Sequence, residues 1–205
     1  MPTRETRPER DVLEAQSPYE EMLCDSVAGA LDELPQRVGI HARVEAVRLG
    51  TLGRVSGADV CGRGERIAGG LARFSGRLEQ VGLFAMETED AFEMIRDREA
   101  SKDPLGAYTH LGREIVRAVT AAIDPTGGDQ QGDATLQEDS AIRALLHTHA
   151  PSDTVVVSVS LALPGNRDED SLAAHVYVLA EPKLFDALRS ELLVDRLNRV
   201  TLPGF

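Results

Sequence analysis

The 205-residue sequence has no tryptophan, only two cysteines, two lysines and two asparagines, and no long apolar run. Cys24 and Cys61 are too few for a disulfide framework, and neither lies in a C-x-x-C pair, so we interpret both as ordinary thiols. No apolar run approaches the roughly 18 residues of a membrane span, and residues 1–16 lack the apolar core of a signal peptide. We therefore expect a cytoplasmic protein without membrane insertion.

Lysine is scarce, and acidic residues dominate the charge. Asp and Glu number 34 against 22 Lys and Arg, which gives a formal net charge of −12. A chain this acidic repels the phosphates of nucleic acids and anionic lipids, so we expect neither as a partner. Arginine in place of lysine, with an acid excess, also fits a salt-adapted or GC-rich source, which would explain the charge without any function.

The first half of the chain predicts a long helix followed by strands. Ser17 is placed as an N-cap, Pro18 at the first helical position and Glu20 to close a capping box. Apolar residues then recur at helical spacing until Pro35, where we expect the helix to end. The alternation in residues 39–47 predicts a strand with Ile40, Ala42, Val44 and Ala46 on its inner face and His41, Arg43, Glu45 and Val47 outside.

A hairpin and a short helix complete the first half, and the second half, from Asp103, repeats this plan. Residues 67–74 and 78–86 flank a tight turn at Ser75-Gly76, and residues 88–96 predict a short helix. Asp103-Pro104 opens a second long helix, and a capping box of Thr135 with Glu138 predicts another over residues 135–149. Residues 154–163 and 173–180 predict strands, followed by a closing helix. The buried face of the clearest strand is predicted to carry Val155, Val157, Val159, Leu161 and Leu163.

A shift of 93 residues aligns two of these strand-then-helix units, residues 81–96 and 174–189. It places Phe84 on Tyr177, Phe92 on Phe185 and Arg96 on Arg189. This likeness predicts an internal duplication. The expected fold is α+β, a pseudo-twofold antiparallel sheet with long amphipathic helices packed on it. We expect a flexible tail at residues 1–16, one domain over 17–194 with half-repeats at about 17–98 and 103–194, and a C-terminal tail at 195–205.

The order and spacing of these segments resemble the CheC/CheX/FliY group of chemotaxis proteins. The likeness rests on "ALDELPQRVGI", "GRLEQVGLFAMETEDAFEMI", "YTHLGREIVRAVTAAI" and "AAHVYVLAEPKLFDALRSEL". The resemblance implies a signalling protein that binds a CheY-type response regulator or a CheD-type deamidase and needs no cofactor or metal. Active members of the family remove phosphate from the regulator's aspartyl phosphate.

The family motif on the long helices reads Asp or Ser, three residues, Glu, two residues, Asn. In the family the Glu can pair with a lysine of the regulator, and the Asn carboxamide can orient the attacking water. The first helix offers Ser17, Glu21 and then Cys24. The second offers Thr109, Arg113 and Val116 or, one residue later, His110, Glu114 and Arg117.

No asparagine stands at these positions, because Asn166 and Asn198 lie elsewhere. Valine, arginine and cysteine cannot hold a water with both a donor and an acceptor as an amide does. The resemblance therefore implies a partner-binding protein with weak or no phosphatase activity, although an active phosphatase remains an alternative. Glu21 and Glu114 are the candidates for contacting a regulator's lysine, and a solvated helix face is the plainer explanation of each.

A second alternative comes from "RALLHTHAP", residues 143–151, which holds His147 and His149. This stretch resembles the metal-ligand histidines of class II aldolases, in which a divalent cation would stabilise an enediolate. The only later histidine is His175, within a predicted strand. The pair is better explained as polar residues at the C-terminal end of a helix, where they meet unpaired carbonyls.

Overall fold

The computed structural model describes residues 17–51, 66–75, 79–97, 102–124, 128–129, 137–138, 154–165 and 171–190. This part of the chain is α+β, as the sequence predicts. Its helices are α1 (Pro18–Leu31), α2 (Leu34–Val38), α3 (Thr88–Asp97), α4 (Pro104–Ile123) and α5 (183–190). Its strands are β1 (Arg43–Thr51), β2 (Arg66–Ser75), β3 (Glu79–Glu87), β4 (Gly128–Asp129), β5 (Gln137–Glu138), β6 (Val155–Pro164) and β7 (Ser171–Ala180).

The strands form one antiparallel sheet in the order β1, β6, β7, β3, β2, β4, with β5 also paired to β2. Strands β2 and β3 form the expected hairpin, although its turn, Ser75-Gly76, lies partly outside the described residues. The long strand β6 sits between β1 and β7. First and second halves of the chain therefore interleave in one sheet.

Helices α1 and α4 pack together, with α1 on β1 and α4 on β2, β3 and β7. The sheet face beneath them contributes alternate residues of β3, β6 and β7, together with Val47 of β1, to a single apolar core. In β6 the alternation is the predicted one. The core residues of that strand are Val155, Val157, Val159, Leu161 and Leu163.

Helix α1 begins as predicted but ends earlier. Ser17 Oγ accepts a hydrogen bond from Glu20 N at 3.3 Å, and Ser17 N donates to Glu20 Oε2 at 2.9 Å, which completes the capping box. The helix stops at Leu31 instead of reaching Pro35, because a proline there offers no N–H to the carbonyl four residues earlier. Pro35 instead lies in the first turn of α2, which ends at Val38 and is capped by Gly39 with φ 71°.

The predicted faces of β1 are wrong at Ala46 and Val47. The pairing with β6 is irregular between Val44 and Ala46, so the alternation shifts by one residue. Val47, predicted to face outward, is fully buried in the core. The strand also runs from Arg43 to Thr51, several residues beyond the predicted end.

The helix predicted to start at Thr135 is wrong at Gln137 and Glu138, which form strand β5. These two residues pair with Ala68 and Ile67 of β2. An open strand edge offers a row of unpaired backbone groups, and pairing there outweighs a local capping signal. The remaining residues of that predicted helix lie outside the described part of the chain.

The central strands β3 and β7 are those that the 93-residue alignment superposes. Phe84 pairs with Val176 and Leu83 with Tyr177, near the middle of the ladder. A pseudo-twofold axis between the two strands would exchange these two pairs. The duplication itself stays a prediction, as do the domain limits, whose tails lie outside the described residues. Within the described residues, no helix has the length and apolar character to cross a membrane.

Glu20 links α1 to the edge strand β1. Its Oε1 accepts from Leu49 N at 3.0 Å while its Oε2 accepts from Ser17 N. Partial burial disfavours the charged carboxylate, but the backbone hydrogen bonds from Ser17 and Leu49 outweigh it and lower the pKa of Glu20. A depressed pKa adds stability above the unfolded value of about 4.3, and this is lost as pH falls through the folded pKa.

We expect Glu20→Gln to lower the free energy of unfolding by about 1 kcal/mol at pH 7, because an amide has one acceptor oxygen for two backbone donors. The difference from the wild type should shrink as the pH falls through the lowered pKa of the wild-type carboxyl, because protonation removes the charge that the two backbone donors favour. Urea unfolding between pH 3 and 8 measures both. The matched control is Glu21→Gln, an exposed neighbour on the same turn. An equal loss for both variants would contradict this role of Glu20.

Candidate functional site

The two long helices carry every position of the expected motif, so the candidate site is built from α1 and α4. On α1 the residues that face the core are Leu23, Val27 and Leu31. Helix α4 lies deeper, between α1, α2 and the sheet, and half of its 20 residues are buried. The buried residues of α4 are Tyr108, Leu111, Gly112, Glu114, Ile115, Val116, Ala118, Val119, Thr120 and Ile123.

Glu21 lies in the first turn of α1 and is exposed. Asp25, one turn further, is exposed as well, and so is Asp32 at the C-cap. These three acids define the α1 outer face, and α1 itself contains no basic residue. Its negative charge suits a basic group on a partner.

Glu114 is not on a solvated helix face, because its side chain is only 10% exposed. Its Oε2 lies 3.9 Å from Arg37 Nη1 and 3.9 Å from Arg117 Nη1, and its Oε1 lies 4.0 Å from Arg113 Nε. These separations exceed the roughly 2.7–2.9 Å of a charge-assisted hydrogen bond, so the attraction is mainly coulombic. The interpretation of Glu114 as part of a solvated helix face is therefore wrong.

Packing also determines how exposed the three residues are that stand where the family motif has asparagine. Cys24 is half-buried against the core, and burial raises the pKa of its thiol. Val116 is fully buried, and Arg117 lies beside Glu114 with its side chain 45% exposed. Ser17 is occupied in the capping box. Within these two described helices, no side-chain amide stands where a water would be held.

A pocket of about 310 Å³ lies where α1, α2, α4 and the first residues of β3 meet. Arg37 and Arg117 line it, so it adjoins the arginine cluster around Glu114. Gln80 of β3 also lines it and is only 3% exposed. Strand alternation puts Gln80 on the sheet face that carries Phe84 and Met86, beneath the helices.

Sequence reasoning missed Arg37 and Gln80. Arg37 pairs with Glu33 at 3.1 Å, an i,i+4 spacing that becomes visible only once α2 is known to be a helix. Gln80 carries no signal in the sequence, because a single polar residue near the start of a strand is usually solvated.

The histidines of the aldolase alternative, His147 and His149, lie outside the described residues. Across the ranges that the structure describes, no group of three or more His, Cys, Asp or Glu side chains is arranged to hold a metal ion. His175 is described, and its Nδ1 lies 3.4 Å from Ser160 Oγ on the neighbouring strand.

Neither a family model nor a curated protein matches the sequence. Solved structures do match, in their fold. The middle domain of FliM from Vibrio alginolyticus is 16% identical, with a TM-score of 0.53 over 85% of this chain and 99% of that one. FliY from Thermotoga maritima is 12% identical, with a TM-score of 0.55 over 87% of this chain and 98% of that one. The protein therefore has the CheC/FliM-like fold of chemotaxis proteins, which confirms the fold that the resemblance implies.

We expect Glu114→Gln to lower the free energy of unfolding by about 1–2 kcal/mol, because three arginines then lose their shared counter-charge. The loss should diminish in 1 M NaCl, which screens repulsion between half-exposed guanidinium groups. Urea unfolding at low and high salt measures it. Glu21→Gln, a change at an exposed residue outside this arginine cluster, serves as the control and should change stability by less than about 0.5 kcal/mol. An equal effect of both variants at low salt would contradict the cluster's role.

Proposed function

We propose that this protein is a chemotaxis signalling protein that binds a CheY-type response regulator, a CheD-type deamidase or another chemotaxis or flagellar protein, with weak or no aspartyl-phosphate phosphatase activity. The observation that carries the proposal is the fold, which matches the FliM middle domain and FliY over nearly their full lengths. On this proposal the protein acts by binding other proteins, and the exposed surfaces of the long helices make the contacts.

The proposal of weak or absent phosphatase activity is supported by the side chains at the motif positions. Water attack on a phosphoryl group needs a group that orients the water, and an amide supplies both a donor and an acceptor. Cys24 offers a half-buried thiol and Val116 is fully buried, so neither position presents an amide to a partner. Arg117 offers donors only.

The α1 outer face is the contact surface that we propose for a regulator. Glu21, Asp25 and Asp32 are exposed there, and a lysine of the partner would meet an acidic surface with no basic residue on the helix. Glu114, the other candidate, already faces three arginines, and an incoming lysine would have to displace them. We therefore assign the lysine contact to Glu21 and assign to Glu114 the positioning of those arginines.

We expect Glu21→Arg to weaken binding of the CheY-type regulator by about tenfold, because the charge reversal replaces attraction with repulsion at the contact. The control is Glu89→Arg. Glu89 is also an exposed acid in the first turn of a helix, α3, so both variants carry the same charge change and the same helix-dipole cost. Titration calorimetry gives both dissociation constants. Equal weakening by the two variants would show a general charge effect and would reject Glu21 as the contact.

The phosphatase question has a separate test. We expect the aspartyl phosphate of the regulator to decay at its own rate when this protein is added at stoichiometric or lower amounts, as followed by loss of radiolabel. Acceleration at substoichiometric protein would establish the alternative, an active phosphatase. A control reaction with the Glu21→Arg variant then separates catalysis at this face from contaminating activity, since only the former depends on Glu21.

A further inference from the structure

The pocket between α1, α2, α4 and β3 has a charged mouth and largely apolar walls. Its volume of about 310 Å³ lies at the lower end of the range for ligand pockets. Glu33 and Arg37 lie at the mouth, where their side chains are 69% and 43% exposed. Small residues alone define no site, so the polar groups decide what the pocket could hold. The other lining residues are mainly small and apolar, and these are Ala30, Leu34, Ala118, Ala121 and Ala122.

Every ionisable residue that lines the pocket already has a partner. Arg37 donates to Glu33 at 3.1 Å, and Arg117 lies 3.9 Å from Glu114. Asp124 is buried and, like Arg117, makes a further interaction. Charges of both signs therefore line the pocket, so an ionic ligand of either sign would meet a like charge and would have to compete with existing pairs. An uncharged ligand avoids both costs.

Gln80 is the described residue of the pocket whose side chain has a buried atom without a partner. The residue is 3% exposed, and its Oε1 accepts no hydrogen bond from the described residues. Thr120, which also lines the pocket, instead donates its hydroxyl proton within its own helix, to Val116 O at 2.9 Å. A buried acceptor without a partner destabilises the folded protein unless something donates to it. The terminal torsion of glutamine is soft, so Oε1 can turn toward a donor in the pocket.

We propose that this pocket binds a small uncharged molecule that is mainly apolar and carries one N–H or O–H donor. The donor pairs with Gln80 Oε1, and the apolar body packs against the alanines of α1 and α4. Indole and phenol are simple molecules of this kind, and a volume of about 310 Å³ admits either. The pocket is separate from the α1 outer face, so the proposal does not depend on regulator binding there.

The test is thermal unfolding of the full-length protein with indole and with phenol, each compared with an analogue of similar shape that has no donor. Benzofuran has an oxygen in place of the indole N–H, and anisole has a methyl group in place of the phenol proton. At about ten times its dissociation constant, indole or phenol should raise the melting temperature by about 3–6 °C, and its analogue at the same concentration should raise it clearly less. If neither probe raises the melting temperature, or if benzofuran and anisole act as strongly, the proposal is wrong.

Two ionic analogues test the requirement for an uncharged ligand. Benzoate is an anion and benzylammonium is a cation at neutral pH, and both are similar in size to phenol. Neither should raise the melting temperature, because each would meet a like charge among the residues of the pocket and would lose its hydration. A shift with either ion as large as the shift with phenol would contradict the proposal.

Gln80→Leu separates a ligand contact from a structural role of this residue. Without the acceptor, the variant should no longer distinguish indole from benzofuran, whereas a structural role alone would change the melting temperature of the ligand-free protein and leave the preference for indole intact. The control is Gln36→Leu, the same change at an exposed residue of α2 that does not line the pocket, and it should keep the preference. A preference for indole that survives in Gln80→Leu would reject Gln80 as the contact.

A second variant tests the pocket without altering a polar group. Ala121→Leu places extra side-chain volume in the pocket from the exposed side of α4, and should abolish the shift with indole. Its control is Ala28→Leu, the same change at an exposed position of α1 that does not line the pocket. Binding that survives Ala121→Leu as fully as it survives Ala28→Leu would place the ligand elsewhere and reject this site.

Discussion

The burial of α4 between two helices and the sheet is the constraint on which the rest of the described structure depends. Half of its 20 residues are buried, and they contact α1 and α2 on one side and β2, β3 and β7 on the other. Each buried leucine, isoleucine or valine contributes about 1.5–3 kcal/mol relative to exposure, so the orientation of the helix about its axis is fixed. That orientation places Val116 in the core and Glu114 at the junction with α2.

A carboxylate at such a junction needs counter-charges, and the structure supplies them from two elements. Arg113 and Arg117 come from α4 itself, while Arg37 reaches across from α2. Glu114 therefore links a helix of five residues, too short to be stable alone, to the most buried helix. The same compensation reduces the negative charge that Glu114 could offer to a partner, whereas Glu21 on the α1 outer face is exposed to solvent.

Features that depend on one element could be predicted from the sequence, and features that depend on contacts between elements could not. The cap at Ser17 and the alternation of β6 involve only neighbouring residues, and both predictions are confirmed. The bulge that turns Val47 inward comes from the register with β6, and the strand at Gln137 from a free edge of β2. The environment of Glu114 depends on Arg37, 77 positions away. The periodicity of α4 alone therefore could not predict that this carboxylate is buried beside arginines. The pocket is formed by four elements together, so no local sequence pattern predicts that Gln80 is buried there.

An identity of 12–16% to solved structures leaves most side chains free to differ while the packing of helices on the sheet is kept. Function must then be argued from side chains, and two charged regions of this protein differ in how exposed their charges are. The charges of the α1 outer face are exposed, and their field weakens beyond a Debye length of about 8 Å at physiological salt. In the cluster around Glu114 the carboxylate is 10% exposed, whereas Arg37 and Arg117 are 43% and 45% exposed. Salt therefore weakens the field of the α1 outer face and, in the cluster, acts mainly on the repulsion between the arginines.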